Sequence, residues 1–325
     1  MTRHTLAVVA AALLSAPVFA QVAPPQAAAS TQSQAEAPQP VDEVIVRGRR
    51  MSDVRAELQK YVQEFVGKVS APAAGRGYAR WNRFVCVGVH NLQADAAQYI
   101  VDRISKEAVD LGLEPGEPGC APDVIVIFTT DAKQLATYLV KHNKRLFLPG
   151  MGAGGIARNR TALDEFVQSD KPVRWWDVSI PVDARMGVTA VRLPASENSA
   201  PVAGDIRAPV VNVAGPSRVH SGIRDDLQRV IIIVDGTKLQ GTTWQQLADY
   251  LGVLSLAQVR ADTDLAAFDS ILNLFANPKA YSGLTDWDRS YLQALYSANQ
   301  ERTPSVQAID LVGQMTYWEL NRGEK

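Results

Sequence analysis

The sequence predicts an α+β fold: a mixed sheet with a parallel β-α-β half and antiparallel strands, followed by a helical C-terminal part. Apolar runs at 83–89 and 123–130 are typical of buried strands, and the amphipathic segment 94–113 between them is typical of a helix. Because such a crossover joins parallel strands, we expect a parallel pair there. Short strand patterns separated by Pro, Gly and Asn fill 173–235 and predict antiparallel additions. Helical periodicity dominates after residue 235.

The N-terminal residues 1–20 are typical of a secretory signal peptide. Arg3 and His4 precede an apolar run, and small residues end at Ala20 before the expected cleavage. We therefore expect a periplasmic or secreted protein with no integral membrane segment after signal cleavage; the alternative is an uncleaved anchor. Residues 21–40 are rich in Pro, Gln, Ala and Ser, which predicts a disordered linker.

Residues 41–75 are expected to form an N-terminal strand and a helix, and 76–325 the main domain. The stretch 41–50, "VDEVIVRGRR", has a short strand pattern, and apolar residues at helical spacing follow from 52 to 69. A short strand on a flexible tether is suited to pairing with a partner's sheet edge, and the alternative is a strand on this chain's own sheet.

Charge and cysteine usage narrow the class of protein. The net charge is −1, with the two signs interspersed, so no nucleic-acid partner is expected. The two cysteines, Cys86 and Cys120, are predicted to form a disulfide in an oxidising compartment. The alternative is a thiol nucleophile, which the apolar strand around Cys86 disfavours because a buried thiol is unreactive.

The stretch 242–259, "TTWQQLADYLGVLSLAQV", predicts an amphipathic helix. Thr243 and Gln246 form a capping-box pattern, and apolar residues recur at i, i+3, i+4 and i+7. Zinc peptidases place two histidines four residues apart on such a helix and a glutamate beside the first. The longer pattern H-E-x-x-H-x-x-G-x-x-H aligns here, in order of its named positions, with Gln245, Gln246, Asp249, Gly252 and Ser255.

Two later segments extend this pattern. "SILN", Ser270 to Asn273, is similar to the methionine turn of metzincins, with Leu272 in the methionine's place. "LTDWDRSYLQALY", 284–296, is similar to their closing helix. Residues 78–296 therefore resemble a degenerate metzincin-like (zincin) metallopeptidase domain that lacks the zinc ligands, which implies a zincin-like fold for 76–325. The chain also loosely resembles a proteobacterial family of exported proteins and lipoproteins of unknown function.

The departures from the metzincin pattern decide the expected chemistry. Glutamine amides are poor zinc ligands and ineffective general bases, and none of the four histidines lies on this helix. We therefore expect no metal, no cofactor and no catalytic residue. Gln246 is expected to cap the helix, and Gln245 and Asp249 to lie on a solvated face.

The resemblance implies an exported, non-catalytic pseudopeptidase. Its partner would be an envelope protein or peptide, bound in the inherited cleft near Trp244, Gln245, Gln246, Asp249 and Ser255. In zincins an extended peptide pairs with an edge strand above the helix, which requires no metal. Two alternatives stay open: an active hydrolase with relocated metal ligands or an unrecognised nucleophile, and a structural cell-envelope protein.

Two further patterns have structural explanations. "GMGAGG", 150–155, matches the dinucleotide-binding fingerprint, but no good strand precedes it, so a loop is expected. Trp175 and Trp176 alternate along a strand, which places one indole on each face. We expect one indole in the core and the other under a loop, with a groove for a peptide or sugar as the alternative.

Overall fold

The computed structural model describes residues 41–73, 75–147, 160–189 and 221–322. The predicted signal peptide, the predicted linker, the "GMGAGG" motif, His220 and most of the strand patterns expected between 188 and 214 lie outside them. Contacts divide the chain into Met1–Gly48 and Arg49–Lys325, and the sheet and the site belong to the second unit. The elements in chain order are α1 (Val41–Val69), β1 (Phe84–Val85), β2 (Val87–His90), α2 (Ala94–Asp110), β3 (Glu114–Pro115), β4 (Val124–Thr129), α3 (Ala132–His142), α4 (Lys144–Phe147), α5 (Arg160–Gln168), β5 (Val173–Asp183), β6 (Ile223–Asp235), α6 (Trp244–Leu256), α7 (Asp286–Ser297) and α8 (Pro304–Leu320), with 3₁₀ turns at Gly236–Lys238 and Ile271–Asn273.

A mixed sheet of four strands forms the centre of the second unit. Its strand order is β2-β4-β6-β5; β2, β4 and β6 are parallel, and β5 pairs antiparallel with β6 at one edge. The mixed architecture and the parallel β-α-β unit are therefore confirmed, while the finer zincin-like assignment stays a prediction. β1 and β3 form a separate parallel pair.

Helices cover both faces of the sheet, which explains why β4 and β6 are almost continuously apolar. One face packs against α2 and α6 in a core that includes Val126 and Ile232. The opposite face carries Ile231 and Ile233 and packs against α3, α4 and α5. Burying each of these aliphatic side chains contributes about 2 kcal/mol, so the two cores hold the layers together.

The helix connections diverge at the carboxyl ends of the parallel strands. After β2 the chain enters α2 on one face, after β4 it enters α3 on the opposite face, and after β6 it returns to the first face in α6. Such a change of side leaves a crevice outside the strand ends, where ligands bind in open α/β sheets.

The tandem tryptophans lie on opposite faces of β5, as predicted, and both are buried. Trp175 Nε1 donates to the Val259 carbonyl at 2.9 Å, and Trp176 Nε1 donates to the Phe147 carbonyl at 2.9 Å. Their indoles therefore serve packing, with each N–H satisfied by a main-chain acceptor.

The expected strand at 41–50 is wrong, because this segment forms the first turns of α1. An isolated strand needs a neighbouring strand for its main-chain hydrogen bonds, whereas a helix satisfies them within the segment.

Helices α4 and α5 were not predicted. Of the strand expected from Val188, the structure describes two residues, and Thr189 forms a single bridge with Val182. None of the helices in the described ranges is long and apolar enough to cross a membrane.

Cys86 and Cys120 form the predicted disulfide. Their Cα atoms are 6.2 Å apart and the bond joins positions 34 residues apart. Gly116 lies directly against it, and an added Cβ at this glycine would overlap the sulfur of Cys120. The thiol-nucleophile alternative is wrong for this pair, and the bond is consistent with an exported protein.

Replacing both cysteines, Cys86→Ala with Cys120→Ala, is expected to lower the free energy of unfolding by about 3 kcal/mol, because the bond restricts the unfolded chain. Chemical denaturation followed by tryptophan fluorescence measures the change. The wild-type protein in reducing agent should match the variant. A difference below about 1 kcal/mol between variant and oxidised wild type would contradict the assigned stabilising role.

Candidate functional site

Helix α6 begins with the predicted capping box. The Thr243 hydroxyl accepts from Gln246 N at 3.2 Å, and Gln246 Oε1 accepts from Thr243 N at 2.7 Å. Thus the capping role expected for Gln246 is confirmed. The helix is enclosed from Gln246 to Leu256, where every residue is buried.

The amide nitrogen of Gln246 also has structural partners. Nε2 donates to the Pro278 carbonyl at 2.7 Å and to the Tyr281 carbonyl. These bonds attach the segment 278–284, which connects to α7, to the first turn of α6. At the position of the metzincin glutamate, the side chain therefore fixes a loop.

Asp249 is fully buried and paired with a cation. Arg103 of α2 donates from Nε and Nη2 to the two carboxylate oxygens, each at 2.7 Å, and Leu284 N donates to Oδ2 at 2.8 Å. The expectation of a solvated face is wrong here, because α2 and the 278–284 segment both pack over this position. Burial lowers the pKa of Arg103, but the hydrogen bonds to Asp249 and the charge of that carboxylate raise it by more. The pKa of Arg103 therefore lies above its ordinary value.

Gln245 is exposed, as predicted, and lies beside the same loop. A Cβ atom on Gly283 would overlap Asp249 Oδ2 and lie 3.0 Å from Gln245 Nε2. Only a glycine allows the chain to pass this close over both side chains. The space above positions 245 and 249 is therefore filled by the protein's own main chain.

Ser255 does not approach these positions. Helix α6 continues through Gly252 to Leu256. Six residues beyond Asp249, Ser255 is about 9 Å further along the axis and about 120° around it. Its hydroxyl is buried and donates to the Leu251 carbonyl at 2.6 Å. Gln245, Asp249 and Ser255 therefore do not converge on one point.

The turn similar to the methionine turn packs against α6 and is attached to α7. Ser270 Oγ donates to Asp288 Oδ1 at 2.6 Å, and Ile271 N donates to Oδ2 at 2.8 Å. Asn273 Nδ2 donates to two carbonyls of the preceding loop, while Leu272 is half-buried against the core. Burial raises the pKa of Asp288, opposed by hydrogen bonds from Ile271, Ser270 and Thr285. The side chains of this turn therefore have a structural role, which is to attach it to α6 and α7.

Metal-binding residues are scattered in the described part of the chain. His90 is exposed at the end of β2, and His142 is exposed at the end of α3, where it stacks on Tyr138. No group of three or more His, Cys, Asp or Glu side chains in the described ranges is close enough to hold a metal ion. The expectation that the protein uses no metal stays a prediction.

An open cavity of about 720 Å³ lies beside the N-terminus of α6, at the carboxyl ends of the parallel strands. We call it the α6 crevice. Of the five residues expected to line a cleft, Trp244 is among its described lining residues; Gln245, Gln246, Asp249 and Ser255 are not. None of the described lining residues is charged. They are Asn91, Leu92, Phe128, Thr129, Thr130, Gly236, Leu239, Thr242, Thr243, Trp244 and Leu247.

The wall of the crevice combines exposed aromatic surface with polar groups. Trp244 is 49% exposed, and its ring centroid lies 6.5 Å from that of Phe128. Asn91 adopts a left-handed conformation with φ 59°, and its side chain donates to the Phe128 carbonyl at 3.2 Å. Thr242 Oγ1 is buried without a hydrogen-bond partner in the described structure. None of the sequence motifs includes Asn91, although polar residues directly after predicted parallel strands indicate such a site.

No protein-family model, curated protein or solved structure matches the chain. The degenerate metzincin resemblance therefore stays a prediction. What the site can bind follows from the residues of the α6 crevice and from the bonds already made by Gln246 and Asp249.

Asp249→Ala is expected to lower the free energy of unfolding by about 3 kcal/mol, because it leaves Arg103 and the Leu284 N–H without their buried acceptor. The matched control Gln245→Ala removes an exposed side chain of the same helix and should change stability by less than about 0.5 kcal/mol. Thermal and chemical unfolding measure both. Equal effects of the two substitutions would show that the buried pair does not fix α6.

Proposed function

We propose that this chain is an exported, non-catalytic binding protein, a pseudopeptidase whose α6 crevice holds an extended segment of a peptide or protein partner. One observation carries the proposal. The crevice is open and presents an exposed tryptophan, whereas Gln246 and Asp249 have their bonding capacity used within the fold.

The chemistry of the crevice favours a peptide. Apolar side chains such as Leu92 and Leu247 supply surface for an anchoring side chain, and hydroxyl and amide groups of Thr242, Thr243 and Asn91 suit main-chain amides. Its volume lies within the range of ligand sites. Exposed tryptophans are frequent hot spots in such interfaces because they bury a large surface with little loss of side-chain entropy. The uncharged lining gives no basis for binding phosphate backbones.

The absence of a catalytic role is supported by what Gln246 and Asp249 already do. Recruiting Asp249 as a metal ligand would require breaking its bidentate bond with Arg103, which leaves a cation without its partner. Recruiting position 246 would detach the 278–284 segment. These costs count against a metal site at positions 246 and 249, and the hydrolase alternative with relocated ligands is tested separately by metal content and hydrolysis.

Trp244→Ala is expected to weaken peptide binding at least tenfold, because Trp244 is the one exposed large apolar side chain among the described lining residues of the crevice. Peptides selected by display on the purified protein would be titrated against both forms by calorimetry. The control is Tyr317→Ala, which removes a 56% exposed aromatic side chain on α8. Peptides that bind wild type and Trp244→Ala equally would place the binding site elsewhere.

A second experiment tests the non-catalytic part of the proposal. The purified protein is incubated with zinc, and metal content and hydrolysis of a mixed peptide substrate are measured with and without a chelator. We expect no chelator-sensitive hydrolysis. About one zinc per chain, released by the chelator together with proteolytic activity, would support the hydrolase alternative instead.

A further inference from the structure

A second cavity, of about 690 Å³, lies at the N-terminal end of β5; we call it the β5 cavity. Because β5 runs antiparallel to β6, this is the same end of the sheet as the α6 crevice. The described lining residues of the two cavities do not overlap. Those of the β5 cavity are Ala71, Pro72, Ala162, Glu165, Phe166, Gln168, Ser169, Asp170, Lys171, Val173, Arg174, Trp175, Arg260, Ala261 and Asp262.

Arg174 in the wall of this cavity is a buried cation that has no ion-pair partner among the described residues. It is 3% exposed and is the one arginine of the buried class in the described chain. Its Nη1 donates to the Val167 carbonyl at 2.9 Å and to the Phe166 carbonyl at 3.3 Å. Nε is buried and makes no hydrogen bond within the described structure, and no described carboxylate lies within ion-pair distance.

The unused edge of this guanidinium matches a specific ligand group. Nε and Nη2 form the planar fork that binds both oxygens of a carboxylate. Burying a guanidinium is unfavourable unless a counter-charge offsets the lost solvation, and two carbonyl bonds on Nη1 supply no charge. Burial lowers the pKa of Arg174, and the more distant Asp235, Asp170 and Asp131 offset this only in part.

The other charged residues lie at the rim and have other partners or are exposed. Lys171 Nζ donates to the Ala261 carbonyl, and Arg260 Nη2 donates to the Ser70 carbonyl at 3.1 Å. Asp170 pairs with Lys238. Glu165 and Asp262 are exposed, so solvent screens their repulsion of an incoming anion.

Most of the rest of the wall is apolar, and Gln168 and Ser169 are its uncharged polar residues. Phe166, Val173 and Trp175 are buried in the layers beside the cavity, and Ala71 and Pro72 close one side. A ligand that places a carboxylate on Arg174 would therefore bury an apolar body against these side chains.

We propose that the β5 cavity binds a carboxylate carried on an apolar body, held by the Nε–Nη2 edge of Arg174. The C-terminal carboxylate of a peptide and a free aromatic or aliphatic acid share this chemistry. This site is independent of the α6 crevice, so either proposal can fail without the other.

The test uses the purified full chain and three probes: N-acetyl-glycyl-phenylalanine, its C-terminal amide, and 3-phenylpropionate. Calorimetry measures affinity, and the indole N–H signal of Trp175 in NMR spectra locates the probe. We expect the amide to bind at least tenfold more weakly than the matching acid. Binding of the dipeptide acid alone identifies a peptide C-terminus, and binding of phenylpropionate alone identifies a free acid. Equal affinity for acid and amide, or binding of neither acid, overturns the proposal.

Arg174→Met tests the residue itself, because it removes the charge and keeps an unbranched side chain. Acid binding should fall at least tenfold, while the melting temperature should fall little, because the loss of two bonds to main-chain carbonyls is offset by removing the cost of burying the charge. The control Lys106→Met removes an exposed cation on α2 and should leave binding unchanged. Retained acid affinity in Arg174→Met overturns the proposal. Arg174→Lys, which keeps a charge without the fork, should also lose at least fivefold and covers the case in which the methionine variant fails to fold.

Discussion

The buried carboxylate of Asp249 is the constraint on which the arrangement around α6 depends. A carboxylate without solvent must find cations and donors, and the fold supplies the guanidinium of Arg103 and the main-chain N–H of Leu284. Because these partners come from α2 and from the segment before α7, the requirement of one side chain fixes three parts of the chain. The same bonds fill the space above the middle of α6, so open space is found instead at the helix N-terminus, where Trp244 is exposed.

The sheet topology explains why both cavities lie at one end. The connections after β4 and β6 go to opposite faces, and the antiparallel β5 begins where β6 ends. The loops that make these changes of direction cannot all pack against each other, so they leave openings between the helix layers. The middle parts of β4 and β5 are covered on both faces, so the openings lie at the strand ends and in the loops beyond them. The sheet therefore positions strand-end and loop side chains where they can meet a ligand.

The sequence predicted the parts of the fold that local patterns determine. Apolar runs located β4 and β6, and the Thr243–Gln246 pair located the start of α6. The buried environment of Asp249 could not be predicted from the sequence, because Arg103 lies 146 residues away and no local pattern links the two residues. The strand expected at 41–50 failed for a related reason: a strand depends on a distant partner, whereas a helix does not. The predicted helix continues through Gly252, because a glycine is tolerated inside a packed helix.

Arg103 and Arg174 are both at least partly removed from solvent, but they differ in whether a carboxylate compensates the charge. Arg103 and Asp249 bury opposite charges against each other, so each charge has its partner and the pair joins α2 to α6. Arg174 is more deeply buried, yet in the described part of the chain Nη1 contacts main-chain carbonyls and no group bonds to the carboxylate-binding edge. Packing alone does not account for that difference, because an apolar side chain would fill the same place without the cost of desolvating a charge. A guanidinium kept at a cavity wall under that cost is explained by a ligand that brings the missing charge.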